Sequence, residues 1–150
     1  MNDLQELYQE VILDHNKHPH NFHAMEDADA TVEGYNPLCG DHYTVYMKFD
    51  GDRIAAVSFE GAGCAISKAS ASMMSTILMG RTKDEAERLF HQFHDLVTGG
   101  GDPEHHSDEL GKLAAFAGVS EFPLRVKCAT LAWHSMHGAL HGEEHRVSTE

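Results

Sequence analysis

Tyr43-Thr44-Val45-Tyr46-Met47-Lys48-Phe49-Asp50-Gly51-Asp52-Arg53-Ile54-Ala55-Ala56-Val57-Ser58-Phe59-Glu60 reads as one β-hairpin and commits the chain to a sheet. Tyr43, Val45, Met47 and Phe49 alternate with Thr44, Tyr46 and Lys48, the period-two pattern of a strand with one buried face. Asp50-Gly51 supplies the turn, and Arg53 to Glu60 returns as the second arm. Upstream, Ala30 to Tyr35 is another β-like run, so three antiparallel strands are expected.

Helical patterns surround this hairpin. Leu4, Leu7, Tyr8, Val11 and Ile12 form one apolar stripe of an opening helix that ends between His15 and Pro19. Ala65 to Met79, rich in Ala, Ser and Met, reads as a buried helix closed by Gly80, with Met73, Met74 and Met79 as core residues. Thr82-Lys83-Asp84-Glu85 is a capping-box signature ahead of a helix whose stripe is Ala86, Leu89, Phe90, Phe93 and Leu96. A Gly-rich linker at Gly99-Gly100-Gly101-Asp102-Pro103 follows, then a short helix through Leu110, Leu113, Ala114 and Ala117 that Gly118 closes. Phe122-Pro123 opens a last helix through about Leu140, and His141 to Glu150 is expected to be a frayed tail. The predicted fold is α+β, a three-stranded antiparallel sheet packed against several helices on one face, in a single domain over residues 1–150.

Charge narrows the function. With 24 acidic and 11 basic residues the formal net charge is -13, which repels phosphate backbones and anionic membranes, so neither nucleic acid nor a membrane is an expected partner. No run approaches a membrane span, the start is acidic rather than signal-like, and the thiols are unpaired, which together predict a cytoplasmic protein.

The 3 cysteines each stand in a different punctuated motif: Asn36-Pro37-Leu38-Cys39-Gly40-Asp41, Gly61-Ala62-Gly63-Cys64-Ala65-Ile66-Ser67 and Phe122-Pro123-Leu124-Arg125-Val126-Lys127-Cys128-Ala129. Three thiols cannot pair off completely and none forms a Cys-x-x-Cys pair, so a shared metal or a sulfur-handling thiol explains them better than disulfides. Cys39 and Asp41 flank one glycine and can share an ion; Cys64 precedes a helix, whose positive end favours a thiolate. Cys128 lies on the first turns of the last helix with Arg125 on the same face. Three thiolates and a carboxylate suit zinc, or an iron–sulfur cluster, and around a divalent ion leave a charge of roughly -2 that Arg125 and Lys127 could offset if they lie close by. A carboxylate in the shell points to an exchangeable ligand. Cys39, in a Pro- and Gly-flanked loop, is the expected working thiol.

These motifs, with Leu7-Tyr8-Gln9-Glu10-Val11-Ile12-Leu13-Asp14-His15, Pro19 and Asn21, resemble the U-type iron–sulfur cluster assembly family over about Leu4 to His134, most closely its SufU-type branch. The resemblance implies a SufE/NifU-like fold and carries over Cys39, Asp41, Cys64 and Cys128 as zinc ligands. It also implies that Cys39 accepts sulfur from the persulfide of a pyridoxal-phosphate cysteine desulfurase of the SufS kind, for delivery to a cluster-building complex. Arg125, on the same helical face as Cys128, is a second catalytic candidate from its position alone. Lys127 stands where scaffold-type members have a histidine, Phe122-Pro123-Leu124-Arg125-Val126 replaces their chaperone-recognition motif, and the Gly-rich insertion is longer. These departures favour zinc-dependent sulfur transfer over the alternative of a scaffold that builds a cluster on Cys39, Cys64 and Cys128. A purely structural zinc protein is the third reading.

Among the 13 histidines, His134, His137, His141 and His145 share a helical face running into a polar tail, and are expected to be solvated, binding metal only adventitiously. His15 is expected to have a structural role at the end of the first helix.

Overall fold

A computed structural model describes residues 3–36, 40–99, 110, 113, 115, 116, 119, 122–141 and 147–148, with residues 3–8 and 147–148 described in their backbone only. The elements run α1 (Asp3–Lys17), β1 (Ala30–Asn36), β2 (Asp41–Asp50), β3 (Arg53–Ala62), α2 (Ala65–Leu78), α3 (Lys83–Thr98), α4 (Pro123–Leu140) and β4 (Val147–Ser148). β1, β2 and β3 pair antiparallel in sequence order, as the alternation predicts. β4 adds a two-residue parallel edge at Gly34 and Tyr35, so part of the tail expected to fray joins the sheet.

The alternation sets which side chains face the helices. Ala30, Val32 and Asn36 of β1 are buried, as are Asp41, Tyr43, Val45 and Met47 of β2, and α2 and α4 cover this face. Phe49 departs from the pattern: the register shifts between Lys48 and Phe49, leaving its ring half-buried beneath Lys83 Nζ at 4.4 Å. α1 packs on α2 and α3 packs on α4, which makes a second helical layer.

α2 is the central helix. Its four serines, with Ala69 and Ala71, are buried because close approach to the sheet and to α4 leaves no room for larger groups, and Ser70 takes up the Trp133 indole N–H at 3.2 Å. Met73 and Met74 are core residues as expected, whereas Met79, just past the helix end, is 38% exposed. His15 has the structural role its position suggests, with Nδ1 2.7 Å from Ser72 Oγ, joining α1 to α2. The capping box is formed: Glu85 N–H donates to Thr82 Oγ1 at 3.1 Å while Thr82 N–H donates to Glu85 Oε1 at 3.0 Å. Gly99 closes α3 with φ of 81°; the linker after it, like Ala114, Ala117 and Gly118 of the expected short helix, lies outside the described residues. Leu110, Leu113, Phe116 and Val119 are nevertheless buried in the core. Among the described residues no helix is long and apolar enough to cross a membrane.

Candidate metal centre

The row of inward-facing residues on the sheet is apolar until its last pair. There Asn36 of β1 and Asp41 of β2 stand opposite one another, both fully buried. A carboxylate so placed requires partners. One is the Cys64 backbone N–H, which donates to Asp41 Oδ1 at 2.9 Å. Cys64 itself is the N-cap of α2, and its sulfur accepts the Ser67 N–H at 3.4 Å, a backbone donor and helix end that both favour a thiolate. Cys64 Sγ is 4.0 Å from Asp41 Oδ2.

Cys128 arrives from α4, buried, with the Asn36 side-chain N–H directed at its sulfur from 3.8 Å. The ligand atoms of Asp41, Cys64 and Cys128 all lie within 4.8 Å of one another. Tetrahedral zinc, with bonds of about 2.0 to 2.3 Å, sets its oxygen and sulfur donors about 3.3 to 3.8 Å apart, so these three could close on one ion with shifts of about 1 Å. Two sulfurs exclude the hard Mg2+ and Ca2+ on affinity. The donor set therefore fits zinc or an iron–sulfur cluster.

Sequence reasoning overlooked several supporting residues. Ser67 Oγ donates to the Tyr43 hydroxyl at 3.3 Å, and the phenol is pushed up to about 12 by burial and by the negative charges of Asp41, Cys64 and Cys128, against the opposing effect of the Ser67 bond. Tyr43 therefore stays protonated beside the thiols. Asn36 stands inside a motif already singled out, and Ser67 follows Cys64 at capping spacing, so the signals were present but without direction. Cys39 lies outside the described residues. Its neighbour Gly40 has φ of 75° and donates its N–H to Asn36 O at 2.8 Å, closing the connection at the Asp41 end of the sheet. Arg125 is exposed, with its guanidinium over the Phe122 ring at 4.7 Å.

The histidine face corrects an expectation. His134 and His137 are half-buried against α3 rather than solvated, with His137 stacked on Phe90 at 4.5 Å between ring centroids. Burial is the reason, since α3 lies along the side of α4 that the sequence alone left open; His145 lies outside the described residues.

An α+β domain whose sheet end and two covering helices bring two thiols and a carboxylate together carries a candidate thiol-rich metal site. The chain belongs to the NifU-like N terminal domain family, which matches residues 7–129. It is 41% identical over 140 residues, 93% of the chain and 86% of the relative, to the iron–sulfur cluster assembly scaffold protein IscU of Streptococcus pyogenes. The zinc-dependent sulfurtransferase SufU of Bacillus subtilis is 41% identical over 142 residues, 95% of each chain. Among solved structures, one from Fervidobacterium islandicum, described as an iron–sulfur cluster assembly scaffold for the SUF system, is 38% identical, with a TM-score of 0.82 over 91% of this chain and 98% of its own. The sheet and helix arrangement inferred from the sequence is thus that of this family.

Proposed function

We propose that the chain serves iron–sulfur cluster assembly as a zinc-dependent sulfurtransferase, taking persulfide sulfur from a SufS-like, pyridoxal-phosphate cysteine desulfurase on Cys39 and relaying it to a cluster-building complex. The observation that carries this reading is the convergence of Asp41, Cys64 and Cys128, a mixed thiol and carboxylate set of three donors to which a four-coordinate zinc adds one more, exchangeable donor. The relative named a zinc-dependent sulfurtransferase supports it. Zinc, when bound by Cys39, Asp41, Cys64 and Cys128, would hold the thiols deprotonated at neutral pH.

The chain's own residues do the rest. Cys39 is two peptide units from Asp41, which limits their Cα separation to about 7 Å and makes Cys39 the natural fourth donor. Its thiolate attacks the outer sulfur of the desulfurase persulfide; a new S–S bond forms on Cys39, the old one breaks, and the desulfurase cysteine leaves as thiolate, with no net oxidation. Asp41 and Cys64, joined through the Cys64 N–H, keep their places while Cys39 is engaged. Arg125, on the exposed start of α4, offers a cation to the incoming partner.

A single-turnover reaction of the zinc-loaded chain with a SufS-like desulfurase, followed by mass spectrometry and peptide mapping, tests the relay. One added sulfur on Cys39 is expected, and Cys39→Ser should lose desulfurase stimulation while retaining most of its zinc. Sulfur on Cys64 or Cys128, or full stimulation by Cys39→Ser, would overturn the relay. The second reading, a scaffold assembling a cluster on Cys39, Cys64 and Cys128, draws on the relatives described as scaffolds. It predicts a cluster that survives anaerobic reconstitution against equimolar zinc.

A further inference from the structure

α3 and the end of α4 face one another with a pair of potential ligands each, four residues apart: Glu87 and His91 on α3, His137 on α4 and His141 at its C-cap. The three histidines meet at the Glu87 carboxylate. His137 Nε2 is 2.8 Å and His91 Nε2 3.3 Å from Glu87 Oε1, and His141 Nε2 is 3.1 Å from Glu87 Oε2. The ligand atoms of Glu87, His137 and His141 lie mutually within 4.8 Å. Packing holds two of the rings in place, since His137 is stacked on Phe90 and the His141 ring packs against His137 with centroids 4.6 Å apart.

We propose that this cluster is a second metal site, for a divalent first-row transition ion, with Glu87, His137 and His141 as ligands and His91 as a fourth. Two histidines one turn apart on a helix form a chelating pair for such ions, and a carboxylate from a facing helix completes the arrangement from which helical metal sites are built. Imidazole with carboxylate selects zinc, nickel or ferrous iron over calcium and magnesium. Tetrahedral bonds of about 2.0 to 2.2 Å place neighbouring donors about 3.3 to 3.6 Å apart, within about 1 Å of the nitrogen–oxygen distances already present around Glu87. Three neutral imidazoles and one carboxylate leave a divalent ion with a net charge of about +1, which the field of a chain carrying -13 stabilises. The site is separate from the thiols and independent of their assignment: His137 is nine residues beyond Cys128 on α4, about 14 Å along the axis.

Cobalt(II) is the probe, because thiolate-bound cobalt shows strong sulfur-to-metal charge transfer whereas imidazole and carboxylate binding gives only ligand-field bands. The full chain, purified without a histidine tag and loaded with one equivalent of zinc, should take up one equivalent of cobalt without charge transfer. Glu87→Gln and His141→Gln should each weaken that binding tenfold or more; His141 is 54% exposed, so its replacement leaves the helix packing in place. The double variant His18→Gln, His23→Gln should bind within twofold of the parent. No uptake, uptake accompanied by charge transfer, unchanged affinity in both Glu87→Gln and His141→Gln, or loss in the double variant would show an ordinary hydrogen-bonded cluster and overturn the proposal.

Discussion

Gly63 has no side chain because there is no space for one. A methyl group there would lie 2.6 Å from Asp41 Oδ1, 2.6 Å from Ser67 Oγ and 2.9 Å from Tyr43 Cε2. Gly63→Ala should therefore displace the Asp41 carboxylate and weaken zinc binding by about 10- to 100-fold, as loss of ligand support does elsewhere. Overpacking adds a stability cost of about 1 to 3 kcal/mol. Competition with a chromogenic chelator measures the first, and a zinc affinity equal to wild type would refute the steric account. Cys64→Ser and Asp41→Ala should behave differently. Removing the Cys64 sulfur takes away a strong metal donor while the serine hydroxyl can still cap α2, so zinc stoichiometry should fall well below one per chain. Removing the carboxylate opens the shell, with zinc partly retained and sulfur transfer slowed; unaltered desulfurase stimulation by Asp41→Ala would count against its role. Asp41, Cys64 and Cys128, which the structure brings together, could be picked out from the sequence because Gly and Pro punctuate their motifs. Asn36, Tyr43 and Ser67 could not, because an inward-facing polar residue has meaning only once the element packed against it is known.

The helices divide between local signals and packing. The α3 start was legible as Thr82 and Glu85, and Thr82→Ala should cost about 1 kcal/mol by freeing the Glu85 N–H, measurable as a lower denaturant midpoint. The α3–α4 contact carried no such signal. His134 is packed there beside Phe90 and His94, and desolvation, then the His94 and His137 charges, hold its imidazole below the ordinary 6.5. A depressed folded value means that the unfolded chain binds this proton more readily. His134 therefore costs no stability above about pH 6.5, and the native state loses ground as pH falls below it. In metal-free buffer, thermal midpoints of wild type should drop more steeply from about pH 7 to pH 5 than those of His134→Leu; parallel curves would remove His134 as the cause. The half-burial of His137 belongs to the same contact. A helical wheel of α4 alone shows a polar stripe, and only the neighbouring helix turns it inward.

Across the whole molecule the candidate thiol site joins three elements that are distant in sequence: Asp41 on β2, Cys64 at the start of α2 and Cys128 on α4. An ion there ties the sheet to both covering helices, so its binding energy becomes folding energy. With free zinc at about 100 times its Kd the linkage is about 2.7 kcal/mol, which for a chain of this size raises the thermal midpoint by about 5 to 10 °C. Calorimetry before and after chelation checks this, and an unmoved midpoint would mean that no ion bridges these elements. Strand alternation, the Asp50-Gly51 turn, the helix stripes and the identity of the thiol motifs could all be worked out in advance, because each rests on neighbours within a few residues along the chain. The polar end of the sheet's buried row, the addition of Val147 and Ser148 to β1, and the meeting of Glu87 with His137 and His141 could not. Those depend on which faces pack together, a choice made by burial of the common core over separations of tens of residues, where no local pattern reaches.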